Sequence, residues 1–153
     1  MMNRRTFLRG SLAASALGLV VSAGLLTPRL LLADETRAAA FEAKSLDEAL
    51  KAMAATPEES AEISIEAPDT AANGASVRVT AVSKLPSTSE ISFIVENNPL
   101  PLAATFVLGE GVEPTSSVVL KFGKTSNVIV LVKAGDKIYS AKKTVNVTTG
   151  GCA

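Results

Sequence analysis

The spacing of apolar side chains changes period once along this chain, near Pro57. Before it, Leu46, Ala49, Leu50, Met53 and Ala54 fall at i, i+3, i+4, i+7 and i+8, a single stripe on one helical face. Ser45 stands at the N-cap position with Glu48 three residues on, the capping-box spacing that satisfies orphan backbone donors at a helix start. Thr56-Pro57 predicts the end of this helix, and the stripe predicts that it lies as a lid on the domain's own core.

From Glu62 onward the period is two. Ile63 and Ile65, then Val77, Val79 and Ala81, then Ile91, Phe93 and Val95 alternate with their neighbours, followed by Ala104, Phe106 and Leu108 and by Val118, Leu120 and Phe122. Turn residues separate the runs: Pro68-Asp69, Asn73-Gly74, Pro86, the loop Asn97-Asn98-Pro99-Leu100-Pro101, Gly109 with Gly111, and Gly123. Gly135-Asp136 predicts a hairpin into a long last strand, Lys137 to Val147. About seven strands at this spacing predict an all-β sandwich, and about 110 residues can bury one modest core. An antibody-type Cys…Trp…Cys core is impossible, because Trp is absent and Cys is single.

One run breaks the alternation. Val128-Ile129-Val130-Leu131-Val132 is apolar on both faces, so either it is covered twice or one face meets a partner.

The first forty residues have a different character. Asn3-Arg4-Arg5-Thr6-Phe7-Leu8-Arg9 is a twin-arginine export motif, and an uncharged apolar run from Gly10 to Pro28 follows. Ala38–Ala40 offers an Ala-x-Ala cleavage site, which argues against a membrane anchor; cleavage after Ala33 is the weaker option, with Leu31 at the upstream small-residue position. The expected organisation is therefore a signal peptide over 1–40, a helix plus β-sandwich over 41–147, and a short arm over 148–153, with the mature protein in the periplasm. A protein exported folded has reason to leave with a partner already bound, which tilts the reading of the Val128–Val132 run toward an interface.

The full chain carries 15 basic and 15 acidic residues, and removal of 1–40 leaves a net charge of −3. No basic tract survives, so nucleic acid is not an expected partner, and no membrane contact is expected once the signal is gone. Histidine is absent throughout. That excludes Ser-His-Asp and Cys-His catalysis, c-type haem attachment and the usual zinc sites. Asp47 with Glu48 falls on the helix and Glu58 with Glu59 on a turn, where solvated carboxylates are the default. No catalytic residue, metal site or cofactor-binding set is expected.

What remains is the tail, Thr148-Thr149-Gly150-Gly151-Cys152-Ala153, holding the sole cysteine. A buried structural cysteine needs packing neighbours, and two glycines supply none. Gly150 and Gly151 would act as the hinge of an arm: from Val147 to Cys152 an extended chain spans roughly 17 Å, enough to carry a thiol into another protein's pocket. A prenylation signal needs its Cys fourth from the end, and a bacterial lipoprotein carries its Cys just after the export signal; neither fits Cys152.

Lys124-Thr125-Ser126-Asn127-Val128 through Lys137-Ile138-Tyr139-Ser140-Ala141, and Val145 to Cys152, resemble the sulfur-oxidation carrier proteins of the SoxY family. Asn98-Pro99-Leu100-Pro101-Leu102-Ala103-Ala104-Thr105-Phe106, Ala71-Ala72-Asn73-Gly74, the export signal and the helix after it are similar too. The resemblance implies an immunoglobulin-like sandwich, a heterodimer with the companion subunit SoxZ, and a cysteine that holds sulfur intermediates covalently. It also implies that a periplasmic Sox cytochrome, hydrolase and sulfur dehydrogenase act on that cargo, so that the chain itself is a substrate carrier and not an enzyme. Carried over, Cys152 is the attachment thiol, and its covalent sulfur adduct stands in place of any cofactor. The family's tail usually ends Gly-Gly-Cys-Gly-Gly, whereas a single Ala153 follows Cys152 here. Two other classes use the same residues differently: a structural β-sandwich interaction module would not need Cys152, and a thiol-redox adaptor would use it without thiosulfate.

Overall fold

A computed structural model describes the backbone of residues 28–149 and the side chains of residues 35–149. The chain divides into two units, Met1–Glu35 and Thr36–Ala153, and the packing described below belongs to the second. The twin-arginine motif, the apolar run after it and Gly150, Gly151 and Cys152 lie outside the described residues.

Two helices, α1 (Pro28–Glu42) and α2 (Leu46–Ala52), precede nine strands among the described residues. Seven of these are the strands the sequence predicts: β2 (Ile63–Glu66), β4 (Val77–Ser83), β5 (Thr88–Val95), β6 (Leu102–Val107), β7 (Thr115–Leu120), β8 (Ser126–Ala134) and β9 (Lys137–Val147). They form two sheets, β2-β4-β7 against β9-β8-β5-β6. The first, second and fifth of the seven thus make one sheet and the other four its partner, the crossed arrangement of an immunoglobulin-like sandwich. β8 and β9 join through a hairpin at Gly135, whose φ of 61° lies where glycine carries no Cβ penalty.

Two strands have no alternation to announce them. β1 (Glu58–Glu59) and β3 (Thr70–Ala71) each pair parallel with β9, at Tyr139–Ser140 and at Asn146–Val147 respectively. Glu58 and Glu59 were expected on a turn; they lie instead on β1, where Glu58 meets Lys137 at 3.2 Å and Glu59 meets Lys142 at 3.3 Å. The hydrogen bond and charge of Glu58 raise the Lys137 ammonium above its ordinary pKa.

The inner faces of the sheets interlock through Val77, Val79, Ile91, Phe93, Phe122, Val128, Val130 and Val132, all buried. Phe93 meets Phe106 edge to face, with ring centroids 5.9 Å apart. A second apolar cluster lies on the outer face of the larger sheet. Ile94, Leu102 and Leu131 are buried there under Ala40 of α1, with Phe41, Leu46, Leu50 and Met53 packed around them. The α2 stripe is a lid on the chain's own core as predicted, and the surface it covers is this outer face.

That cover corrects the reading of β8. Val128, Val130 and Val132 face the other sheet, while Ile129 and Leu131 face the helices, so the chain itself covers both sides of the run. The tilt toward a partner on that face is overturned. The same alternation runs through β5: Ile91, Phe93 and Val95 point inward, while Ser92 and Ile94 are buried on the outer face.

α2 also ends earlier than Thr56-Pro57 indicates. It stops at Ala52 with Met53 as its C-cap, and Ala54 turns left-handed at φ 48°. The Ala54 N–H donates to the Lys51 carbonyl at 3.0 Å and the Ala55 N–H to the Leu50 carbonyl at 2.9 Å, the paired bonds of a Schellman cap. At its start, Ser45 Oγ accepts from the Glu48 N–H at 3.2 Å. The Glu48 carboxylate accepts from the Lys44 N–H at 2.9 Å, one residue upstream of the usual capping-box partner.

Candidate functional site

The described structure ends three residues before Cys152, so the site is defined by what holds the chain up to that point. β9 pairs with β8 along its length, from Lys137 opposite Ala134 to Val145 opposite Ser126. Beyond that register every residue finds a further anchor. Asn146 donates its backbone N–H to the Asp69 carbonyl at 2.9 Å and its side-chain amide to the same oxygen at 3.1 Å. Val147 N–H donates to Thr125 Oγ1 at 2.9 Å. Thr148 donates its N–H to the Ala71 carbonyl and its hydroxyl to the Ala72 carbonyl, both at 3.1 Å.

The Asn73-Gly74 turn completes the anchorage. Gly74 N–H donates to the Thr149 carbonyl at 2.8 Å, and the Gly74 carbonyl accepts from the N–H of buried Phe122 at 2.7 Å. The turn therefore couples the last described residue to the inner core. The Asn73 side chain stabilises it locally by accepting from the Ala75 N–H at 2.9 Å.

Polar side chains tie the surrounding loops together at this end of the sandwich. Buried Ser126 accepts from the Asn97 N–H at 2.9 Å and donates to the Asn127 carbonyl at 3.1 Å. Asn127 accepts from the Thr144 hydroxyl at 2.7 Å and donates to Glu96 at 2.8 Å. Lys143 is held by Asp69 at 3.0 Å and by the Ala67 carbonyl at 2.6 Å. In sequence, the lysines nearest the tail are Lys142 and Lys143, about ten residues before Cys152. The fold adds an exposed Lys124, directly preceding the Thr125 hydroxyl that anchors Val147. Contiguity along the chain could not reveal it; the signal is the long-range Thr125–Val147 bond.

Glu48 caps α2, and Glu58, Glu59, Asp69 and Glu90 each pair with a lysine or arginine. Among the described residues, no group of three or more His, Cys, Asp or Glu side chains is placed to hold a metal. A surface cleft of about 460 Å³, lined by Leu85, Thr88, Leu108 and Val112 among others, opens where β5 begins and β6 ends, opposite the end where β9 finishes. No helix among the described residues is long and apolar enough to cross a membrane.

Fold and tail base together define a small immunoglobulin-like β-sandwich whose longest strand delivers its final residues, firmly anchored, to one end. The family described as sulfur oxidation protein SoxY matches residues 48–152. This chain belongs to the SoxY family. Among solved structures, the sulfur carrier protein SoxY from Chlorobium limicola f thiosulfatophilum is 37% identical, with a TM-score of 0.63 over 71% of this chain and 96% of that one. The superoxide reductase (neelaredoxin) from Ignicoccus hospitalis shares the fold at 18% identity and a TM-score of 0.51, over 67% of this chain and 92% of that one. No curated protein sequence matches it. Family membership gives the chain a sulfur-carrier role within sulfur oxidation and associates it with the Sox system.

Proposed function

We propose that this chain carries thiosulfate-derived sulfur covalently on Cys152 in the periplasm, after twin-arginine export, as one half of a heterodimer with SoxZ. The observation that carries this reading is the reach of the family match: it runs through residue 152 and so includes the chain's sole cysteine. The anchored tail base supports it. Hydrogen bonds fix the backbone through Thr149, leaving two residues, at most about 11 Å of chain, between the last anchor and the thiol carrier Cys152. Gly150 and Gly151 are the hinge of that span.

The chemistry follows from the thiol. An ordinary cysteine has a pKa of about 8.5, and its thiolate is the nucleophile, so the enzyme that receives the arm supplies the activation. A Sox cytochrome removes two electrons as Cys152 and thiosulfate join through a new S–S bond, releasing the thiol proton and giving a Cys-S-S-sulfonate. A hydrolase adds water to the terminal sulfur, which leaves as sulfate while a persulfide stays on Cys152. A sulfur dehydrogenase oxidises the remaining sulfur to a sulfonate with water as the oxygen source, and a second hydrolysis frees the thiol. The chain contributes the attachment atom and its presentation.

The test is intact-mass spectrometry, without reductant, of the protein exported by cells grown on thiosulfate, beside Cys152→Ser. Sulfur-sized and sulfonate-sized increments confined to the wild type and removed by reductant are expected. A bare thiol, or glutathione-type adducts alone, refutes the carrier reading in favour of a redox adaptor or an interaction module.

A further inference from the structure

Residues 36–40, expected to leave with the signal peptide, belong to the compact unit that holds the sandwich. Cleavage after Ala40 would cut α1 two residues before its end. Ala40 is 1% exposed and packs in the cluster with Ile94, Leu102 and Leu131, and Phe41 packs beside it. One turn earlier, Arg37 donates to the Glu90 carboxylate at 3.1 Å, a pair bridging α1 and the outer face of β5. Glu90, Ser92 and Ile94 alternate along that face, so the contacts from Arg37 to Ala40 follow one continuous strip of β5. The compact unit holding the sandwich begins at Thr36, upstream of the whole strip.

We infer that the signal peptidase cuts after Ala33, and that residues 34–40 stay with the mature protein as the first turns of its helical cover. The inference rests on the export reading proposed above. A twin-arginine substrate reaches the peptidase already folded, and a peptide bond in the stretch of α1 that packs on β5, from Arg37 to Ala40, is closed to proteolysis, which needs accessible, locally unfolded backbone. Burial therefore outweighs side-chain preference: Ala38–Ala40 has the better small-residue pattern but ends on buried Ala40, whereas the Ala33–Asp34 bond, also in α1, precedes the compact unit, and its cleavage needs only the start of that helix to open. In the reaction water adds across the Ala33–Asp34 peptide bond, leaving a carboxylate on Ala33 and a new amino terminus on Asp34.

The full-length precursor, expressed in a host with a twin-arginine pathway, provides the test. Intact mass and N-terminal sequence of the periplasmic product are compared for wild type, Ala33→Arg and Ala38→Leu. Ala38 is exposed, so leucine there leaves packing alone while spoiling the upstream position of the Ala-x-Ala pattern. A wild-type product starting at Asp34, normal processing of Ala38→Leu and loss of processing in Ala33→Arg are expected. A product starting at Phe41, or a block confined to Ala38→Leu, overturns the site. An uncut wild-type chain retained in the cytoplasm sinks the export reading and this site with it, an outcome distinct from cleavage in the wrong place.

Discussion

Replacing Leu131 with alanine measures whether the helices, and not a partner, complete this domain. Leu131 lies on the outer face of β8, 2% exposed, in the cluster with Ile94, Leu102 and Ala40. Truncating a buried leucine loses the transfer free energy of the removed methyl groups and adds a cavity term, together about 2.5–4 kcal/mol. At ~2.1 cal/mol/K of unfolding entropy per residue, the Thr36–Ala153 unit loses about 4 °C of melting temperature per kcal/mol. A fall of about 10–15 °C is therefore expected, followed by circular dichroism on the purified chain without any companion subunit. Val119, 50% exposed on β7, is the control: its alanine variant should melt within about 2 °C of the wild type. If Leu131→Ala also melts within about 2 °C, α1 and α2 do not cover that face in the isolated chain, and the account of β8 as a doubly covered strand is wrong.

Two smaller changes probe local devices. Ala54→Gly should raise stability by up to about 1 kcal/mol in urea denaturation, because the Schellman cap holds position 54 at φ 48°, where a Cβ is strained; a loss of stability would mean that this turn is not left-handed in solution. Ser126→Ala removes the acceptor of the Asn97 N–H and the donor to the Asn127 carbonyl, and should cost about 1–2 kcal/mol while speeding hydrogen exchange at Asn97. Unchanged exchange there would refute the bond.

Much of this molecule could be read from the chain alone. Alternation placed five of the seven strands, the unbroken apolar run placed β8, and the Gly135-Asp136 signal placed the last hairpin and with it β9, which runs from Lys137 to Val147 as expected. These features are local: a period of two states that a strand has one buried face, and turn residues state where it stops. The lone Cys152 behind two glycines was equally legible, because it follows from residue type and order.

Tertiary structure decided the rest. An unbroken apolar run says that β8 is covered twice without saying by what, and only packing shows α1 and α2 doing so. Ile94 is buried on the outer face because the helices cover it, which no alternation within β5 records. β1 and β3 exist through a few parallel bonds to a strand some eighty residues away, too few residues for any pattern to register. The anchoring of Thr148 and Thr149 to Ala71, Ala72 and Gly74 belongs to the same kind. Sequence determines which residues can be strand, turn or thiol, because those are properties of neighbours along the chain. Which faces are shared, and where the tail takes its hold, depends on backbone groups distant in sequence finding one another, and only the folded domain brings them together.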